Sequence, residues 1–205
     1  VKVSYNTTSG FVTARHIKTT AATNPNGVGQ VTVVPADLGS YDYVQFYSVI
    51  HVNGYAITDG QYLLSSNKSI SSTKPSSGGY AYYENNTLTL YNYTGTNTTD
   101  YGIYHNYDLD IVLSGTNTLI TSSVSSSYDG IYVYGSLYVT GSGNLSISGG
   151  GYAIYTEGDA VINSTTVSCA TSGIYAAGNM TLADSKISIG QLNTIAQRTT
   201  ALQAY

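Results

Sequence analysis

The sequence predicts an all-β fold: a right-handed parallel β-helix (β-solenoid) of about four to five turns, preceded by a non-repeating β section. Three observations predict it. A short unit recurs along the chain, apolar and polar residues alternate with period two inside each copy, and small residues stand at fixed places between the alternating runs.

The copies are GIYHNYDLDIV from Gly102, GIYVYGSLYVT from Gly130, AIYTEGDAVIN from Ala153 and GIYAAGNMTLA from Gly173. Their starts, at residues 102, 130, 153 and 173, lie 28, 23 and 20 residues apart. Each opens with a small residue followed by Ile-Tyr. Gly135, Gly158 and Gly178 follow five positions on, where the first copy has Tyr107. An apolar pair comes next: Leu109/Ile111, Leu137/Val139, Ala160/Ile162 and Met180/Leu182. A closing pair ends each unit, Leu145/Ile147, Val167/Cys169 and Ile187/Ile189, with a looser version around Leu119 in the first copy. Period two places each pair on one face of a strand. One such unit cannot bury that face alone, but stacking units at about 4.8 Å builds a continuous core. Ile103, Ile131, Ile154 and Ile174 should then form an internal ladder. Cys169 should lie between Ile147 and Ile189 as an inert buried thiol. Residues 85–95, NNTLTLYNYTG, read as part of one more turn, with Leu88 and Leu90 matched to the closing pair.

Residues 1–75 contain no copy of the unit. VKVSY, FVTARHI, QVTVV and YDYVQFYSVIHV read as strands, the last with Val44, Phe46, Ile50 and Val52 on one face, and Asn24-Pro25-Asn26-Gly27 reads as a turn. The stretch SSTKPSSGG at 71–79 is the best boundary. Three parts follow: 1–75 as an N-terminal β section serving as a cap or strand-exchange element, 76–190 as the solenoid, and 191–205 as a C-terminal cap or tail.

Charged residues make up 9% of the chain, against roughly 25% in an average soluble protein. There are 22 tyrosines and no tryptophan, and the net charge is −4. Neither Lys nor Arg occurs from Pro75 to Ser185. Nucleic-acid binding needs cations to neutralise phosphates, and an anionic membrane surface needs them too, so both partners are set aside. No apolar run reaches the roughly 18 residues of a membrane span, so no membrane insertion is expected. The single Cys169 excludes an intrachain disulfide framework. Starting at Val1, the chain reads as a processed mature form, and its low charge with abundant Tyr, Thr and Asn suggests an extracellular or cell-surface protein. Asn-x-Ser/Thr acceptors for glycosylation stand at Asn6, Asn67, Asn85, Asn92, Asn97, Asn144, Asn163 and Asn179.

NNTLTL, LSGTNTLI, GIYVYGSLYVTGSGNLSI and GIYAAGNMTL resemble the parallel β-helix repeats of large secreted surface proteins of Gram-positive bacteria, which are often labelled carbohydrate-binding. The resemblance covers residues 79 to 191. It implies a secreted surface protein and names no ligand, because the shared positions are core and bend residues.

Chemistry-bearing residues are sparse. Asp108 and Asp110 should both point outward around Leu109, and Glu157 and Asp159 make a similar pair. Two carboxylates on one face are what glycoside hydrolysis requires. However, Asp108 is equivalent to Ser136, Asp159 and Asn179, which reads as a column of polar bend residues bonded to backbone. His16, His51 and His105 lack metal-ligand spacing and read as surface or turn residues. No phosphate-binding loop, dinucleotide fingerprint or nucleophile elbow is present. The expectation is a non-enzyme with no metal and no cofactor.

The candidate binding residues are aromatic. Tyr104, Tyr132, Tyr155 and Tyr175 follow the inward Ile in each copy and should stack outward in one column, with Tyr134 and Tyr138 adding aromatic surface. Such a column stabilises the solenoid, contacts another subunit, or offers a platform for sugars. The function expected first is an extracellular structural protein that self-associates with copies of itself, with a filament subunit as the extended form. The alternative is a carbohydrate-binding or adhesin module that takes glycans on the tyrosine ladder. A polysaccharide lyase or hydrolase comes third, resting on fold analogy alone.

Overall fold

The computed structural model describes residues 48–97, 99–121, 128–149, 151–170 and 173–190, together with the backbone pairing of five short strands. The chain divides into two compact units, Val1–Tyr47 and Ser48–Tyr205. In the first, β1 (Phe11–Val12) pairs antiparallel with β4 (Val44–Gln45), and β2 (Ile17–Lys18) pairs antiparallel with β3 (Thr32–Val33). The expected strand VKVSY and the Asn24–Gly27 turn lie outside the described residues, as do His16 and Phe46.

The second unit is a parallel β-solenoid of about four turns, and each turn contributes one strand to each of three sheets. The turns are β12 (Ile103–His105), β13 (Leu109–Ser114) and β14 (Thr116–Thr121); β15 (Ile131–Val133), β16 (Leu137–Thr140) and β17 (Asn144–Ser148); β18 (Ile154–Thr156), β19 (Ala160–Asn163) and β20 (Thr166–Cys169); β21 (Ile174–Ala176), β22 (Met180–Ala183) and β23 (Lys186–Ile189). The first sheet runs β12-β15-β18-β21 and continues to β24 (Leu202–Ala204). The second runs β13-β16-β19-β22, and the third runs β14-β17-β20-β23.

The registers are those the repeat dictates. Ile103, Ile131, Ile154 and Ile174 pair in series, all fully buried. Leu109, Leu137, Ala160 and Met180 form the next ladder, and Cys169 is paired between Ile147 and Ile189. One assignment differs. Leu88 and Leu90, on β10 (Thr87–Tyr91), pair with Ile111 and Leu113 on the second sheet instead of extending the closing pair. The third sheet begins with β11 (Thr94–Asn97). Two strands with the same alternation look alike in sequence, so period two could not say which sheet β10 joins.

Antiparallel strands close the N-terminal end. β5 (Val49–Val52) lies antiparallel on β12 and forms a hairpin with β6 (Tyr55–Thr58). On the second sheet, β9 (Tyr80–Glu84) pairs with β10, β7 (Gln61–Leu64) pairs with β9, and β8 (Ile70–Ser71) ends the sheet. Residues 72–79 run as the loop between β8 and β9. The hairpin turns use residues that tolerate positive φ: Asn53 (50°) with Gly54 (80°), and Asn85 (50°) with Asn86 (58°). The third sheet's edge is closed by side chains. Ser65 Oγ and Lys68 Nζ donate to the Thr94 carbonyl at 2.9 and 2.6 Å, and Thr94 N–H donates back to Ser65 Oγ. A lysine over a strand edge blocks further pairing there.

The core is one cluster running from Ile50 and Val52 in the cap to Ile174 in the last turn. His105 belongs to it. It was expected at a surface or turn and is fully buried, at the inward position that Val133, Thr156 and Ala176 hold in later turns.

Candidate functional site

The outer face of the first sheet carries the tyrosine column. Tyr104, Tyr132, Tyr155 and Tyr175 are register partners on β12, β15, β18 and β21. Their rings stack face to face, with centroids 5.9, 4.9 and 4.6 Å apart and interplanar angles of 20, 5 and 13°. The column has flanks. Tyr101 stacks on Tyr104 at 5.4 Å, and Tyr152 lies tilted against Tyr155 and Tyr175 at 5.8 and 5.4 Å. Tyr134 meets Tyr132 edge-on at 5.1 Å, and His51 from the cap meets Tyr104 edge-on at 6.0 Å. Tyr101 and Tyr152 carry no signal in sequence, because they stand outside the Ile-Tyr pattern that marks the column, and His51 is exposed, as its surface reading expects. Tyr138 was grouped with this surface, and it stands on β16, on the second sheet.

Stacking fixes what the face presents. A ring covered on both sides by neighbours offers its edge and hydroxyl to solvent, whereas a sugar stacks on an open ring face. The hydroxyls are engaged as well. Tyr132 and Tyr155 donate to one oxygen of Glu157 at 3.1 and 3.3 Å, and Tyr104 donates to the Asn106 side chain at 2.9 Å. Burial within the column, followed by the Glu157 carboxylate, pushes the Tyr132 and Tyr155 phenols well above the usual range.

The polar bend column has the role expected of it. Asp108 Oδ1 accepts the backbone N–H of Ser136 at 2.7 Å, Ser136 Oγ accepts that of Asp159 at 3.2 Å, and Asp159 Oδ1 accepts that of Asn179 at 2.7 Å. Each side chain caps the same position one turn on. Among the described residues, no group of three His, Cys, Asp or Glu side chains could hold a metal ion. Burial pushes the Cys169 thiol up to about 11, which suppresses its thiolate. A shallow depression of about 430 Å3 lies across the last three turns, lined by Asn144, Thr165, Thr166, Asp184 and Lys186 among others, and it is open and polar.

Of the glycosylation acceptors, Asn67, Asn85, Asn92, Asn144 and Asn179 are exposed and Asn163 is half-buried. Asn97 is 7% exposed, with its amide bonded to Tyr101 O and Thr99 N–H, so the folded chain does not present it. Asn6 lies outside the described residues. None of the described acceptors lies on a strand of the first sheet.

No family model, curated protein or solved structure matches the chain.

Proposed function

We propose that the chain is an extracellular structural protein of a cell surface that assembles with copies of itself. The observation carrying this reading is the inequality of the solenoid's two ends. The N-terminal end is closed on all three sheets by strands β5 to β9 and by Ser65 and Lys68. At the other end, no described strand pairs with the outer edges of β22 and β23, and the inward Leu182 is 40% exposed. Unpaired edges above an apolar rung are a template for a further strand. The extracellular location is supported by 9% charged residues and by surface acceptors for glycans. Catalysis is no part of the proposal, since the Asp108 and Asp159 carboxylates are spent on backbone amides.

Light scattering followed by negative-stain electron microscopy tests it. Large ordered assemblies are expected from the full chain, and Leu182→Glu, which puts a charge in the open rung, should abolish them. Deleting residues 1–20 separates strand donation by that segment from contact through the rung alone. A monomer at every concentration would overturn the proposal for this chain.

A second reading, a carbohydrate-binding or adhesin module, is supported by Tyr134 and Tyr138, which are 52% and 44% exposed. Glycan-array binding that disappears in Tyr134→Ala and Tyr138→Ala while assembly persists would favour it.

A further inference from the structure

Every aromatic ring in the chain is Tyr, Phe or His, and tyrosines number 22. The other readily oxidised side chains are few. There is no Trp, the one Cys is buried with its thiol held protonated, and the one Met is half-buried at the last turn. An oxidant that takes single electrons from the folded chain therefore meets phenols first.

The geometry among those phenols is not uniform. Joining two tyrosines requires a bond between ring carbons ortho to the hydroxyls, in the plane of both rings. Tyr132–Tyr155 and Tyr155–Tyr175 present their faces to each other, so that bond cannot form without breaking the stack. Tyr132 and Tyr134 are arranged differently. They lie two positions apart on one strand end, edge to face, with centroids 5.1 Å apart and planes at 71°. Tyr134 is 52% exposed, the most of any large apolar side chain among the described residues, so its ring edge is open to an oxidant. Tyr132 donates its phenolic hydrogen to the Glu157 carboxylate at 3.1 Å, which gives the proton an acceptor when the electron leaves. Tyr104 also faces Tyr134 edge-on, at the longer distance of 6.1 Å, and its hydroxyl is bonded to an amide, which is no base.

We infer that Tyr132 and Tyr134 form a site for oxidative coupling to dityrosine, with Glu157 as the proton acceptor and a haem peroxidase with hydrogen peroxide as the oxidising class. Each phenol gives up one electron and its hydroxyl proton. The two radicals join at their ortho carbons, and the ortho hydrogens move to the oxygens to restore both phenols. Two tyrosines and one hydrogen peroxide become one dityrosine and two waters. The product is a covalent link across Val133, at the bend where β15 leaves the first sheet and Tyr134 N–H donates to His105 O at 3.0 Å. The coupling is within one chain, so it stands whether or not copies assemble.

Dilute chain is treated with a haem peroxidase and hydrogen peroxide. Dityrosine is followed by its fluorescence, and the link is mapped by mass spectrometry after a non-tryptic digest. The expected result is a product lighter by two hydrogens, with the link between Tyr132 and Tyr134. Tyr134→Phe should lose most of the fluorescence and Glu157→Gln should slow its appearance. Tyr138→Phe, which removes a comparably exposed ring from the second sheet, should leave both unchanged. Thermal midpoints recorded for each variant show that the fold is kept. No dityrosine, an undiminished signal in Tyr134→Phe, or links spread over exposed tyrosines in proportion to exposure would each overturn the assignment.

Discussion

Tyr83 and Tyr93 are both fully buried, yet their hydroxyls meet different surroundings. Tyr83 Oη lies 2.7 Å from the Ser48 hydroxyl, donates to Asn86 Oδ1 at 3.0 Å, and lies 3.5 Å from His105 Nε2. Tyr93 Oη has no partner, and neither do the amide atoms of buried Asn53. A buried hydroxyl without a partner costs its desolvation, whereas a bonded one contributes about 1 kcal/mol. Tyr93→Phe should therefore leave stability unchanged or raise it by about 1 kcal/mol, while Tyr83→Phe should lower it by about as much. Urea unfolding of the two variants decides this, and equal losses from both would contradict it. The phenyl ring of Tyr93 must stay, because Lys68 Nζ sits 4.9 Å above it.

At the scale of the element, the bend between the first and second sheets is built from a glycine column. A Cβ on Gly158 would sit 2.7 Å from Ser136 N and 2.8 Å from Gly135 C, atoms that cannot swing aside. Gly158→Ala must push neighbouring turns apart, and a loss of about 1–3 kcal/mol is expected, read as a lowered thermal midpoint. The copies announced this column, since Gly135, Gly158 and Gly178 recur in register. They did not announce the next bend. There the chain turns on left-handed residues of mixed type: Asn92 (φ 44°), Gly115 (68°), Gly141 (108°), Ser164 (55°) and Asp184 (48°). Only two of the five are glycine, so no constant residue marks the position in sequence. Asn92 also holds the next turn, accepting Thr116 N–H at 3.0 Å.

At the scale of the molecule, stability carries two opposed pH dependences. Burial lowers the His105 pKa to about 4, so the folded state resists a proton that the unfolded chain binds below about 6.5. Stability from this group is complete above pH 6.5 and falls as pH drops toward 4, by about 3 kcal/mol in all. Burial raises Asp129 to about 6, partly offset by the Tyr152 N–H it accepts at 2.6 Å. The folded state then holds a proton that the unfolded chain releases, so this contribution is present at low pH and is lost as pH rises from about 4 to 6. The two act in opposite directions in the native chain. His105→Val, which copies Val133 of the next turn, should make the protein more stable at pH 5 than at pH 7. Asp129→Asn should do the reverse. Thermal melts across pH 4–7.5 test this, and parallel profiles for the two variants would contradict it.

By itself, the sequence determined the solenoid, its inward ladders, the tyrosine column and the capping role of the Asp108 bend. Copies with one alternation stack in register because any slip would turn every apolar side chain outward. Only the tertiary structure decided the rest: which sheet β10 joins, the cap formed by the strands from Val49 to Glu84, the burial of His105, and the face-to-face tyrosine rings. The reason is physical. Period two separates inside from outside along one strand, but it says nothing of which neighbour lies above, what closes an end, or how a ring turns about its own bonds.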